Sequence, residues 1–152
     1  MIDIPILYQD EALLVGDKPA GLPTLVDGYQ PDAPYLVGLL KARFEALWVV
    51  HRLDRETSGV MVLARSAEAH RSLNTQFEQR QAHKLYHALA IGAPEWDETT
   101  VTLPLRPNGD RRHRTLIDPR LGKPAATRLR VIERYAAAAW VECQEGWRNS
   151  QA

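Results

Sequence analysis

The stretch "HRLDRETSG" sets one carboxylate between two guanidinium groups: Arg52 lies two residues before Asp54 and Arg55 directly after it. Opposite charge on both sides favours the ionised carboxylate. An ionised carboxylate suits a nucleophile or an electrostatic stabiliser. It suits a general acid poorly, because an acid needs a raised pKa. The bland alternative is a surface ion pair of little energetic value. Two features favour chemistry. An apolar run, Val60 to Ala64, follows at once, so the carboxylate is expected near the edge of a core. Thr57, Ser58 and Gly59 make a tight, hydroxyl-rich entry to that run. A carboxylate hydrolase would want a second acid in reach, and Glu56 is the near candidate. His83, His87 and His113 lack the company that metal ligation needs, and His51 reads as a hydrogen-bonded histidine without a catalytic role.

The elements that must hold Asp54 are read from pattern. Leu13 to Gly16 predicts a short apolar strand, followed by the Pro- and Gly-punctuated "DKPAGLPT". Leu36, Leu39, Leu40 and Phe44 have helical spacing, with Pro34 near the start. "GVMVLA" predicts a strand buried on both faces. Ser66 is placed to cap a helix running to about Arg80, with Leu73 and Phe77 on its inner face. "KLYHALAIG" predicts a strand ending at Gly92, and "TVTLPL", "TRLRVIERY" and "AAAAWVEC" predict three more. The last has no sequence after it to pair with and is expected to be an exposed edge. Hairpin-like spacing late in the chain argues against a doubly wound parallel fold. It predicts an α+β fold: a mixed, mostly antiparallel sheet with flanking helices.

With 152 residues the chain has room for one domain with a real core, but not comfortably for two. Its single cysteine, Cys143, excludes an internal disulfide and fits a reducing, cytoplasmic setting. No apolar stretch approaches a membrane span, and the acidic first residues give no sign of a signal peptide. Net charge is zero, which argues against indiscriminate nucleic-acid binding. The distribution is uneven. Residues 1 to 35 hold six acids and one base. Residues 106 to 134 hold nine bases (Arg106, Arg111, Arg112, Arg114, Arg120, Lys123, Arg128, Arg130, Arg134) and three acids. Such a segment can steer a phosphate backbone or can be a solvated basic loop.

Four segments taken together resemble the RluA family of RNA pseudouridine synthases: "DKPAGLPT", "HRLDRETSG" with the apolar strand and "AR" after it, "FEQRQAHKLYHALAIG", and "GKPAATRLRVIERY". The match runs from about residue 7 to about residue 143. The "VTLPLRPNGDRRHRTLIDPRLGKP" stretch is most similar to the branch that acts on both large-subunit ribosomal RNA and a transfer RNA anticodon stem-loop. The resemblance implies the pseudouridine synthase core and the isomerisation of uridine to pseudouridine, with no cofactor and no metal. It assigns Asp54 as the nucleophile, at sugar C1′ or at the uracil ring. It assigns Arg52 to the space left by a flipped-out base, and Tyr86 as the aromatic that stacks on that base. Without the resemblance Tyr86 reads as a core tyrosine on a strand. Arg55 pairs with a phosphate or with an acid of the fold; Lys84 holds a phosphate or is an exposed strand residue. The implied partner is a ribosomal or transfer RNA stem-loop, with no membrane and a monomeric protein. Recognition is expected from the core itself, chiefly its basic segment.

The resemblance stops at "QEGWRNSQA". The family continues with Thr-Gly-Arg-x-His-Gln-(Ile/Leu)-Arg, whose first arginine contacts the catalytic aspartate, and Arg148 lacks the neighbours to stand for it. The expectation is a partial catalytic domain over 1–143 and a non-matching tail over 144–152. A frameshift or early stop would produce this pattern, giving a truncated synthase of weak or no activity or a non-catalytic RNA-binding remnant. Alternatively, a partner chain supplies the missing strands.

Overall fold

The computed structural model of the chain describes residues 2–107, 109 and 114–145. They divide into two compact units, Met1–Gln81 and Ala82–Ala152. Among the described residues no helix is long and apolar enough to cross a membrane.

The first unit is built on four antiparallel strands, β1 (Ile6–Gln9), β2 (Leu13–Lys18), β3 (Trp48–Val49) and β4 (Gly59–Ala64), in the order β1-β2-β4-β3. Asp10 makes the first turn: its Oδ1 accepts the backbone N–H groups of Ala12 at 2.8 Å and Leu13 at 2.6 Å. β2 and β4 pair with Leu14 opposite Leu63 and Gly16 opposite Met61, and Leu14, Met61 and Leu63 are fully buried. β4 is not buried on both faces, as its apolar run suggested. Its alternation puts Met61 and Leu63 in the core, while Val60 is 62% exposed and Val62 half-buried.

α1 (Leu36–Lys41) buries Leu36, Val37 and Leu40. It stops before Phe44, which is half-buried, with the guanidinium groups of Arg43 and Arg65 each 5.6 Å from its ring. α2 (Ala67–Glu78) starts at the expected cap, Ser66 Oγ accepting the Ala69 N–H at 3.1 Å. It ends short of Arg80, whose φ of 57° is left-handed and cannot continue a right-handed helix. Leu73 and Phe77 are half-buried on it.

The second unit is a five-stranded antiparallel sheet of β5 (Leu85–Ile91), β6 (Glu98–Arg106), β7 (Leu116–Ile117), β8 (Lys123–Arg134) and β9 (Ala138–Glu145), ordered β5-β9-β8-β6-β7. This overturns the expectation for "AAAAWVEC". β9 is no edge: β5 flanks it on one side and β8 on the other, with Tyr86 opposite Cys143 and Leu129 also opposite Cys143. Its partner comes from earlier sequence, a long-range pairing that strand pattern does not reveal. The basic segment is likewise not one loop. β7 lies within it, and from Lys123 onward it is strand β8. The observed elements are those of an α+β fold with antiparallel sheets.

Burial is unequal. Ile4, Leu14, Leu22, Leu36, Val37, Leu40, Leu47, Leu53, Met61, Leu63 and Ala64 form the core of the first unit. In the second, only Ala139 and Val141 are buried apolar residues among those described.

Candidate active site

Asp54 sits on the loop that leads into β4, and the sequence around it is fastened from three directions. Leu53, just before it, is buried, and Thr24 grips both of its backbone groups: Thr24 Oγ1 donates to the Leu53 carbonyl at 2.7 Å and accepts the Leu53 N–H at 3.3 Å. The Arg55 carbonyl, just after it, accepts from the Gly21 N–H at 2.8 Å and from the Lys18 ammonium at 3.1 Å. Gly21 has φ 82°, a backbone region that glycine enters freely. The Asp54 carbonyl itself closes a turn by accepting the Thr57 N–H at 3.1 Å. Gly59, at φ 134°, then delivers the chain into β4. The backbone is pinned while the Asp54 side chain is exposed.

Lys18 is the unexpected member. It is completely buried at the end of β2, and its ammonium donates to the carbonyls of Leu22 at 2.7 Å, Pro19 at 3.0 Å and Arg55 at 3.1 Å. Burial pushes its pKa below the ordinary 10.5, while the negative charges of Glu56 and Asp54 oppose that shift. The signal was present in the sequence: Leu14, Gly16 and Lys18 share one face of a strand whose other two members are buried. Thr24 carries no comparable mark.

The arginines do not flank the carboxylate as the spacing suggested. Arg55 Nη2 reaches Asp27 Oδ2 at 2.5 Å, so its partner is an acid of the fold. Asp27 in turn accepts the Tyr29 N–H at 2.9 Å. Arg52 is exposed, and Asp54 has no hydrogen bond or ion pair from its side chain among the described residues. Arg55 enters the turn that the Asp54 carbonyl closes onto Thr57, and its guanidinium reaches Asp27, not the acid beside it. Glu56 is exposed. A cleft of about 440 Å³, walled by Pro19, Leu22, Pro23, Gln30, Pro34 and Arg55 among others, lies against the same loop, and Asp54 is not part of its wall.

His51 has the structural setting expected of it. Its Nε2 accepts the Val62 N–H at 3.2 Å and its ring stacks on Phe77, centroids 4.8 Å apart, joining the loop to β4 and α2. In the second unit, Tyr86 is half-buried on β5, opposite Cys143. Lys84, just before β5, is half-buried and pairs with Glu145 at 3.3 Å. Burial pushes the Cys143 thiol up, and Glu142 and Glu145 add to the shift. Much of the basic segment is neutralised in place. Arg106 pairs with Asp118, Arg128 with Glu98 through two bonds of 2.7 and 2.8 Å, Arg130 with Glu142, and Arg134 with Asp97. Arg111, Arg112, His113 and Arg148 lie outside the described residues. Among the described residues no three acids, histidines or cysteines gather as a metal cluster would.

The family model for RNA pseudouridylate synthase matches residues 12–149. The chain belongs to the RNA pseudouridine synthase family. It is 41% identical to the ribosomal large subunit pseudouridine synthase C of Salmonella typhimurium, over 91% of this chain and 44% of that protein. Against the ribosomal large subunit pseudouridine synthase D of Xylella fastidiosa it is 40% identical, covering 93% and 44%. An uncharacterized RNA pseudouridine synthase of Synechocystis is 34% identical, covering 94% and 47%. The chain therefore spans less than half the length of these curated relatives. Among solved structures, the human RNA pseudouridylate synthase domain containing 4 protein superposes with a TM-score of 0.75 at 28% identity, covering 96% of this chain and 60% of that one. The domain containing 1 protein gives 0.77 at 26% identity. Family and fold thus agree with the resemblance carried by the four segments.

Proposed function

We propose that this chain carries the uridine-isomerising core of an RNA pseudouridine synthase acting on structured RNA, with a large-subunit ribosomal stem-loop as the first substrate to test. The observation that carries the reading is the setting of Asp54. Its backbone is tied on both sides to buried Thr24 and Lys18, and its carboxylate is left open to an incoming group. A fixed, accessible carboxylate is the equipment of a nucleophile. The names of the relatives support the RNA class and the ribosomal preference. A transfer RNA loop is the second substrate to test.

In this reading Asp54 attacks either C1′ or the uracil ring. The N1–C1′ bond breaks, the base turns, and a C5–C1′ bond forms. The hydrogen at C5 leaves as a proton and N1 gains one, so the reaction is an isomerisation without net redox change. Arg52 fills the gap in the RNA stack and Tyr86 stacks on the extruded base. Arg55 acts indirectly, holding the Asp27 segment against the loop. Lys84 meets a phosphate after exchanging Glu145 for it. The single cysteine supports a cytoplasmic setting.

One observation favours a second reading, an RNA-binding remnant without chemistry: Asp54 has no ion-pair partner among the described residues, so little there holds charge during attack. The two readings separate on product. With RNA tritiated at uracil C5, the enzyme reading expects tritium release that falls by about a thousandfold or more, roughly 4 kcal/mol in barrier, in Asp54→Ala. RNA binding with no release from the folded chain leaves only the remnant.

A further inference from the structure

The cleft of about 440 Å³ beside the Asp54 loop is lined by the first unit alone, and each of its walls is held by hydrogen bonds of its own. One wall is the turn after β2, where Pro19, Leu22 and Pro23 present apolar surface. The Lys18 ammonium fixes that turn from inside by donating to the Pro19 and Leu22 carbonyls. A second wall, Gln30, Ala33 and Pro34, comes from the segment between β2 and α1. That segment is closed on itself. Asp27 and Gln30 form an antiparallel bridge, the Gln30 N–H donates to the Asp27 carbonyl at 3.0 Å, and the Ala33 N–H donates to the Gln30 carbonyl at 3.1 Å. Its ends are drawn together where the Leu36 and Val37 N–H groups donate to the Pro23 and Thr24 carbonyls at 2.9 and 3.2 Å. Arg55 completes the lining, and its ion pair with Asp27 ties it to the segment that carries Gln30.

The chemistry of the lining is narrow. No acid belongs to it, its one ion is the Arg55 guanidinium, and its one side-chain amide is that of Gln30, which makes no side-chain hydrogen bond among the described residues. An unstacked nucleobase asks for these things: apolar surface and a guanidinium plane for its ring, and a donor beside an acceptor for its edge. The volume falls in the range of sites that enclose small molecules. An apolar stretch of polypeptide in the same slot would bury the Gln30 carboxamide without a partner, whereas every base brings one. Asp54 is not in the wall, so the occupant is not the uridine that reacts; Arg55, one residue on, is in the wall, so the occupant lies near that uridine. Resting on the reading of this chain as an RNA pseudouridine synthase, we infer that the cleft holds a second, unpaired base of the RNA, adjacent to the target uridine, and that Gln30 reads its edge. Arg55, steadied by Asp27, faces the ring of that base. Uridines in different loops are then told apart by the base beside them.

Fluorescence titration of the full chain with RNA hairpins tests this. Each hairpin carries one loop uridine, with every base placed in turn on either side of it. Affinity should depend on one of those neighbours, by about tenfold between the best and the worst base. Gln30→Ala should flatten the preference. Gln30→Glu has acceptors only, so its preference should move to guanine, whose N1–H and N2 amino group present donors side by side. A second measurement fixes the place. A hairpin with a thiol-bearing nucleotide beside the uridine should form a disulfide with Ala33→Cys in a Cys143→Ser background. It should not do so with Ala67→Cys, exposed at the start of α2, beyond the far end of β4 from the Asp54 loop. Should the Gln30 variants misfold, the cross-link decides, because it leaves Gln30 in place. An affinity indifferent to both neighbours, a preference that survives Gln30→Ala, or cross-linking no greater at Ala33 than at Ala67 would overturn the inference while RNA binding itself stands. Hairpins that fail to bind the unaltered chain at all would sink the synthase reading, and the inference with it.

Discussion

Lys18 and Thr24 do more to place Asp54 than the arginines on either side of it. Each acts from the core on backbone, and each is replaceable by a side chain of similar shape without its polar atom. Lys18→Met keeps the stem but removes the ammonium from the Pro19, Leu22 and Arg55 carbonyls, of which Arg55 keeps the Gly21 N–H, so we expect a loss on the order of 2–4 kcal/mol in urea unfolding. Thr24→Val leaves the Leu53 N–H and C=O buried without their partner, at a cost of about 2–3 kcal/mol. In both variants the equilibrium midpoint should shift with little change in slope. A midpoint that does not move would mean water replaces the lost bonds. At this scale the sequence drew attention to Asp54, whose mixed-charge surroundings are conspicuous, and to a hydrogen-bonded His51, which is half-buried. It did not reveal where Arg55 points. The partner, Asp27, lies 28 residues away, and nothing local distinguishes it from the other acids of the amino-terminal stretch.

Strands of six residues or more were readable as apolar or β-branched runs, and β2, β4, β5, β6, β8 and β9 all lie where those runs lie. β1, β3 and β7 escaped because two to four residues carry no measurable periodicity. β9 was placed correctly but given the wrong neighbours, since pairing with β5 joins residues more than forty apart in sequence. The second sheet is also laced by charge across β6, β8 and β9. Arg128 holds Glu98, and Arg130 holds Glu142, so both carboxyls sit below their ordinary 4.5. A carboxyl with a depressed folded-state value adds stability above its unfolded value and loses it as pH falls. The urea midpoint followed by tryptophan fluorescence should therefore decline as pH drops through and below 4.5. Arg128→Met should flatten part of that decline. An identical pH profile in the variant would show that the Glu98 pair contributes nothing, as exposed pairs sometimes do.

At the scale of the molecule, among the described residues, eleven buried apolar residues serve the first unit and two the second. Apolar burial is the dominant favourable contribution to folding, so local stability should follow that division. Amide hydrogen exchange should be slow in β2 and β4 and faster in β5 and β9; equal protection in the two sheets would contradict this. The sequence announced the family through four ordered segments, and fold and relatives agree with it. It could not announce the imbalance of burial, because an alternating strand looks the same whether or not a layer covers its apolar face. One further consequence concerns synthesis. Every strand of the first sheet, and every contact by which Lys18, Gly21 and Thr24 grip the Asp54 loop, lies within the first 81 residues. Chains leave the ribosome amino terminus first, and units fold as they emerge. The carboxylate is then fixed in its loop while the tyrosine proposed to hold its base is still being translated.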